Sequence, residues 1–348
     1  MHPGYDVTRE PRLHSFDIED CAISAELLSA VYPELPPWSP DLMHHRLNTV
    51  CATGKGQRWI LEVDGAPIAE ASWFLPPWTS GAEVVRAQII VMPEHRSRGW
   101  GHLMYEVISA SMCQANRFKM RVIVRDNDPL SLDFAQRRDF TEMMTLTVSS
   151  VATERALSRE TMLKVDRAKG RGTTVVNGAQ LLREYSNWAH LWWDAYVATA
   201  ADTPSPEPAR PIPFDDFKQI HLESPKFDPS RWFFAIQDGQ IIGLTGLHLS
   251  PSRPEAASVD FTGVRLSHRR RGVCRLLKVT ALEHARSWGI ELIYTENEVT
   301  NPMLCLNREL GFRRLFNKGI YAGSVLKAGG ESVTLHSPHD SATSDDLK

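Results

Sequence analysis

The stretch Val264-Arg265-Leu266-Ser267-His268-Arg269-Arg270-Arg271-Gly272-Val273-Cys274 is the most informative in the chain. A near-copy lies upstream, as Val91-Met92-Pro93-Glu94-His95-Arg96-Ser97-Arg98-Gly99-Trp100-Gly101. Each follows an apolar run that reads as a strand and precedes a segment with apolar residues at helical spacing. An Arg-x-x-Gly-x-(Gly or small residue) run between strand and helix is a device for holding phosphate. The first helical turn has unpaired N–H groups, and the helix dipole favours an anion at that end. Glycine lets the backbone close on the phosphate and adopt positive φ, and arginine adds positive charge.

Outward from these two stretches, further landmarks repeat. Arg58-Trp59 matches Arg231-Trp232, Asp64-Gly65 matches Asp238-Gly239, and Phe140 matches Phe312, all about 173 positions apart. Two repeats of this length indicate a duplicated domain. A first helix is expected over 18–31 and its counterpart over 179–200. Each is followed by a proline-rich turn, and in the first copy a short helix follows near Leu42–Leu47. Strands Trp59–Val63 and Ile68–Trp73, and Trp232–Ile236 and Ile241–His248, flank Asp-Gly turns, a strong hairpin signal. Strands Val84–Val91 and Ala257–Val264 lead into the two signatures. After each signature helix come a buried strand (Met120–Val124, Ile290–Thr295) and a last helix ending at Asp139-Phe140 or Gly311-Phe312.

The expected organisation is a first domain over 1–160, a linker over 161–174, a second domain over 175–328 and a disordered tail over 329–348. The chain has 348 residues, with 42% hydrophobic and 23% charged, as in a water-soluble globular protein. A net charge of −3 carries no nucleic-acid or membrane-surface footprint. Five scattered cysteines, without C-x-x-C, argue against a disulfide framework or zinc ribbon and fit a reducing cytoplasm. The first residues lack an apolar segment of the signal-peptide kind, and no run is long enough to span a bilayer.

Two such signatures, each in order with a hairpin, a helix and a terminal aromatic, resemble tandem GCN5-related N-acetyltransferase (GNAT) proteins. The later run Thr295-Glu296-Asn297-Glu298-Val299-Thr300-Asn301-Pro302-Met303-Leu304-Cys305-Leu306-Asn307-Arg308-Glu309-Leu310-Gly311-Phe312 is similar to that of mycothiol synthase-like members. The resemblance covers about residues 15–150 and 175–325. It implies an α/β (α+β) fold of two GNAT domains, each a mixed, mostly antiparallel sheet flanked by helices. It implies acetyl-CoA or another acyl-CoA as co-substrate, no metal, and direct acyl transfer to the amine of a small molecule by a monomer or homodimer. The cofactor would lie on Val264, Leu266, Arg269, Arg271, Gly272, Val273 and Cys274, with Asn297 and Asn301 beside it. The first-domain counterparts are Val91, Pro93, Arg96, Arg98, Gly99, Trp100 and Gly101.

Alternation along a strand groups Thr262, Asp260 and Ser258 before the second signature, against Ile89, Ala87 and Val85 before the first. In the family that face looks toward the acceptor. The second domain is therefore expected to be catalytic, with Asp260 as base or water-organiser, its pKa raised by desolvation. The competing reading is a structural aspartate paired with a nearby arginine. Ser258, Thr262, Trp193 and Tyr196 would wall the acceptor cleft. The competing reading of the stripe Trp188, Trp192, Trp193 and Tyr196 is plain core packing.

The family's usual tyrosine acid is replaced by Asn307 in the second domain, and by Ala135 or Phe134 in the first, depending on how the loop is counted. Asn307 can hydrogen-bond the reacting carbonyl or thiolate but cannot protonate it. The first domain would then be a CoA-binding or structural partner, the alternative being two active sites. The rival function is an acyl-CoA-binding regulatory or structural protein without turnover. Cys274 beside the phosphate loop invites a covalent acyl-cysteine, against the simpler reading of packing. His44, His45, His95 and His268 lack metal-ligand spacing.

Overall fold

The computed structural model describes residues 11–51, 56–76, 84–155, 157–206 and 211–325. The tail over 329–348 lies outside the described residues. In the first half, strand β1 (Pro11–Ser15), helices α1 (Cys21–Val31) and α2 (Pro40–Arg46), strands β2 (Gly56–Val63), β3 (Ala66–Phe74) and β4 (Val84–Val91), helix α3 (Trp100–Gln114), strand β5 (Lys119–Arg125), helix α4 (Pro129–Gln136) and strand β6 (Thr141–Ala152) follow in order. Helix α5 (Arg159–Lys169) leads to the second copy. That copy comprises β7 (Thr174–Asn177), α6 (Gly178–Glu184), α7 (Trp188–Ala200), the single turn α8 (Phe214–Phe217), β8 (Trp232–Gln237), β9 (Gln240–Ser250), β10 (Arg253–Val264), α9 (Val273–Ser287), β11 (Leu292–Glu298), α10 (Pro302–Glu309) and β12 (Arg313–Ser324).

Local chemistry explains the boundaries. The Asp-Gly turns take positive φ at both residues (Asp64 55°, Gly65 77°; Asp238 49°, Gly239 74°), the geometry that closes a two-residue hairpin without splaying its strands. Asp128 and Asn301 cap α4 and α10, accepting from Ser131 N at 3.2 Å and Met303 N at 2.9 Å, with proline at the next position. Asp139 stands where the second copy has Gly311, yet both hold left-handed backbone (φ 58° and 95°). The loss of Leu-Gly-Phe in the first copy therefore leaves the turn intact, since aspartate tolerates that region. The helix expected over 179–200 is broken at Tyr185–Asn187 into α6 and α7.

The two copies share one twelve-stranded sheet, ordered β1-β2-β3-β4-β5-β12-β6-β11-β10-β9-β8-β7. In each copy the signature strand pairs in parallel with the next strand over only three residues. Val84–Arg86 lie against Lys119–Arg121, and Ala256–Ser258 against Leu292–Tyr294. Beyond them the strands part into a V that opens toward the signature loop. The last strands are exchanged: β12 of the second copy pairs with β5, and β6 of the first pairs with β11. They also pair with each other, on the seam between the copies. Neither exchanged strand is marked by any repeat landmark.

Each copy has two apolar layers. On one face α3 packs over Leu61, Ala71 and Val85, and α9 over Ala235, Leu247 and Ala257. On the other face α1 and α2 cover Ile60 and Ile90, and α6, α7 and α8 cover Phe234 and Leu244. The stretch 161–174, expected to be a linker, is largely α5. Val165 and Ala168 bury it against the second core, because its apolar residues recur at helical spacing within a charged composition. Among the described residues no helix is long and apolar enough to cross a membrane, and no three His, Cys, Asp or Glu gather as a metal site.

Candidate active site

Both signature loops have the same backbone. Gly99 and Gly272 stand at φ 88° and 86°, just before the first turns of α3 and α9, and Ser97 and Arg270 also take positive φ (61° and 63°). Arg96 and Arg269 brace these loops from within. Their Nε atoms donate to the carbonyls of Val91 at 3.1 Å and Val264 at 3.0 Å. Their guanidinium ends are ion-paired, Arg96 with Asp128 at 3.0 Å and Arg269 with Asp202 at 2.9 Å. Both arginines, expected to contact cofactor, are thus fastened to the protein.

Arg98, Arg270 and Arg271 are exposed and carry the free charge. Arg171, just after α5, adds to it and donates to the Arg271 carbonyl at 3.3 Å. Trp100 and Val273 turn their side chains into the cores, and the first turns of α3 and α9 face the loops with their backbone N–H groups. Pro93 and Leu266 are exposed. A Cβ on Gly101 would stand 3.5 Å from the Phe134 ring, and Cys274, at the matching position, donates its thiol to Met303 Sδ at 3.3 Å. Burial pushes the Cys274 thiol up to about 11, against the pull of Lys278 and Arg275. That is the behaviour of a packed thiol and opposes an acyl-cysteine.

The face before the second signature differs from simple alternation. The register between β9 and β10 shifts between Val259 and Phe261. Such a bulge puts two successive side chains on one side. Asp260 and Phe261 therefore both face α7, where Phe261 packs on Tyr196 with ring centroids 4.7 Å apart. Ser258 lies opposite His248 on that same side. Thr262 does not join them. Its hydroxyl meets Thr245 Oγ1 at 2.7 Å, across the opposite face, so its expected place in the acceptor cleft is lost. The first copy has no such shift, and its side toward α1 carries Arg86, Gln88 and Ile90 rather than Val85, Ala87 and Ile89.

Asp260 is ion-paired with Lys226, and His248 Nδ1 stands 3.8 Å from the same carboxylate oxygen. Burial alone would raise the Asp260 carboxyl, but Lys226, His248 and His221 together hold it below its ordinary value. The expected upward shift is therefore reversed, since desolvation is outweighed by nearby positive charge. Burial presses both His248 and His221 down to about 4, so both are neutral at pH 7. His248 Nδ1 has no hydrogen-bond partner among the described residues. Lys226, His248 and His221 escaped the sequence reading. Counting the hairpin register from Asp238-Gly239 would have placed His248 near Asp260, but nothing local marks Lys226 or His221.

The aromatic stripe divides between its two readings. Trp192 is core, against Trp232 and Phe234. Trp193 donates to the Ile212 carbonyl at 2.8 Å and meets Phe214, holding the loop after α7. Tyr196 reaches the polar cluster, 4.9 Å from the His221 ring, and burial followed by the Asp260 charge raises its phenol.

On the other side of the V, Asn307 is fully buried and donates to Asn297 Oδ1 at 2.5 Å. Asn301 is used as a helix cap, as noted above. In the first copy Ala135 is core, and Phe134 lies under the Arg138 guanidinium, 3.6 Å from its ring centroid.

Residues 185–312 match the family model "Acetyltransferase (GNAT) family". No curated protein matches the sequence significantly. Among solved structures, a tandem GNAT protein from the clavulanic acid biosynthesis pathway superimposes with a TM-score of 0.68 at 18% identity, over 93% of this chain and 100% of its own. A GCN5-related N-acetyltransferase from Sphaerobacter thermophilus gives 0.63 at 14% identity, over 90% of this chain and 96% of its own. A GNAT-family acetyltransferase from Colwellia psychrerythraea gives 0.54 at 11%, over 90% and 99%. Residues 185–312 are thus similar to the GNAT family model, and the chain as a whole has the fold of the tandem GNAT proteins.

Proposed function

We propose that the protein is an acyl-CoA-dependent N-acyltransferase, with acetyl-CoA as donor and the amine of a small molecule as acceptor. Catalysis is assigned to the second domain (175–328), and the first (1–160) is its partner. The observation that carries this reading is the polar cluster on the bulge of β10, which leads directly into the signature loop. Asp260, Lys226, His248 and Ser258 stand there. The first copy has no carboxylate on the matching side of β4, which carries Arg86, Gln88 and Ile90.

In this reading the N–H groups at the start of α9, with Arg271 and Arg171, hold the pyrophosphate. Asp260 stays ionised and serves to hold and orient the acceptor ammonium or a water, in preference to acting as a base tuned to neutral pH. Neutral His248 offers Nδ1 as the proton acceptor, directly or through that water. Attack on the thioester carbonyl then gives a tetrahedral oxyanion, and the thiolate leaves as the N-acyl bond remains. Asn307 lies across the V, where its amide supports the position of Asn297 at the cofactor's edge.

Absence of the tyrosine acid favours a second reading, an acyl-CoA-binding protein without turnover. Release of free CoA thiol from acetyl-CoA with a panel of small amines separates the two. Amine-dependent thiol release that Asp260→Asn lowers while acetyl-CoA still binds is the expected result. Binding without thiol release from any amine would favour the second reading, and no binding would sink both.

A further inference from the structure

A cavity of about 740 Å³ opens between α3 and the outer strands of the first domain, within the roughly 300–1,000 Å³ usual for small-molecule sites. Trp59, Leu61 and Trp73 border it on the sheet, and Leu103, Val107 and Ala110 on the helix. Among the described residues, none of Val91–Gly101 lines it, so it is separate from the first signature loop. We propose that this cavity binds a flat, uncharged aromatic small molecule, with its ring against Trp59.

The second copy contains what the first lacks. Trp59 pairs with Ala71 on the strand before one Asp-Gly turn, and Phe233 pairs with Thr245 at the same register before the other. Both rings lie on the side of the sheet that carries the signature helix. On α9, His284 and Trp288 cover Phe233. Their ring centroids stand 4.9 and 6.2 Å from it, and the Trp288 plane lies within 19° of parallel. Counted along the helices from Gly272 and Gly99, the matching residues of α3 are Ser111 and Ala115. A helix that lays two rings over the strand in one copy presents a hydroxyl and a methyl group in the other. Ser111 and Trp59 both line the cavity, which therefore occupies the place of the missing rings.

The lining also selects against an ion. Its charged residues are already held, Arg58 by the buried Glu70 at 3.3 Å and Glu106 by His102 at 3.1 Å. Ser111 accepts from Trp73 Nε1 at 2.8 Å and donates to the Gln57 amide oxygen, which fixes the Trp73 indole in place. Two aromatic walls held in this way favour a flat ring over a saturated one of equal size, because the ring gains stacked or edge-to-face contact. The proposal is independent of acyl transfer in either domain.

The test is calorimetric titration of the full-length protein with 2-naphthol at neutral pH, beside its saturated analogue decahydro-2-naphthol. One 2-naphthol should bind per chain, with the saturated analogue about fivefold weaker or worse. The double variant Ser111→His, Ala115→Trp installs the second copy's rings and should lower the affinity for 2-naphthol by about tenfold or more. Saturating CoA should leave the titration unchanged. No binding to wild type, or equal affinity in wild type and the double variant, would overturn the proposal. Equal affinity for the saturated analogue would overturn the aromatic assignment, and competition by CoA would place the ring in a cofactor cleft instead. If the double variant does not fold, Ala110→Phe, on the half-buried helical wall, must by itself weaken 2-naphthol binding. An affinity that Ala110→Phe leaves unchanged would then defeat the proposal.

Discussion

Asn307 and Asn297 are joined by an amide hydrogen bond of 2.5 Å across the base of the second V, and the buried Asn307 Oδ1 has no hydrogen-bond partner among the described residues. Asn307, at the position where the resemblance implies a tyrosine acid, braces Asn297. Asn307→Leu removes the donor and leaves the Asn297 oxygen unsatisfied, which should destabilise the fold by about 1–3 kcal/mol. Chemical denaturation measures that loss. The alkaline limb of the kcat profile should stay where it is in a variant that keeps activity, such as Asn307→Gln. A shift of that limb would mean the side chain takes part in proton transfer.

Asp260 and Lys226 make a separate prediction. Asp260→Asn keeps the shape of the site but removes the charge that orients an ammonium. Turnover should fall on the order of 10²-fold, with the affinity for acetyl-CoA nearly unchanged. Stopped-time thiol release and calorimetry, run on the same preparation, read the two quantities. Equal loss in both would show that Asp260 shapes the cofactor site instead.

Acid should weaken the fold through the same cluster. His248 and His221 sit near 4 when folded, against 6.5 in their ordinary state, so the unfolded chain binds more protons between these values. Stability must then rise as pH increases from 4 to 6.5 and level off above that window. Asp260, depressed below 3.8 in the fold, adds a loss of the same sign at still lower pH. His248→Gln should flatten the slope of unfolding free energy between pH 4 and 6.5. An unchanged slope would place the burden on other groups.

The two signature loops can be tested by charge reversal at their exposed arginines. Gly272 is a poor site for this, because a side chain there is strained at φ 86° and its Cβ would meet Ala168 at 3.3 Å. Arg271→Glu should reduce acetyl-CoA affinity by about tenfold or more, and Arg98→Glu should have little effect on turnover. The opposite ranking would move catalysis to the first domain.

Much of this fold can be read from the chain because its signals are local. Val84–Val91 begins and ends as a strand where the apolar run does, and the Asp-Gly turns and the loop glycines adopt the backbone their residue types favour. What stays hidden depends on partners far away in sequence. Asp260 was legible as the unusual residue of its strand, but the bulge that turns Thr262 to the other face has no mark in a period-two pattern. Its low pKa arises from Lys226 on another loop. Trp193 and Tyr196 lie on the same helix as Trp192, and only the packing separates their contacts with Ile212 and His221 from core. The pairing of β5 with β12 joins residues about 200 positions apart, beyond the reach of any motif.

Exchange of β6 and β12 also predicts that neither half stands alone. A fragment ending at Ala152 would lose β12 from between β5 and β6, leaving Lys119–Arg125 as an open edge. Such a fragment should aggregate or lack dispersed amide resonances, whereas the two halves expressed together should recover a soluble complex. A well-folded isolated first half would contradict the exchange.

That same exchange orders events during synthesis. When Ala152 leaves the ribosome, the strand that will separate β5 from β6 has not been made. At roughly 5–20 residues per second, Arg313–Ser324 follow on the order of ten to thirty seconds later. Until then the first domain must wait with an unfilled slot in its sheet, and it closes only when β12 arrives. Strand β12 thus serves as a quality check on the first domain, since a chain cut short anywhere before it leaves both domains incomplete and exposed to degradation.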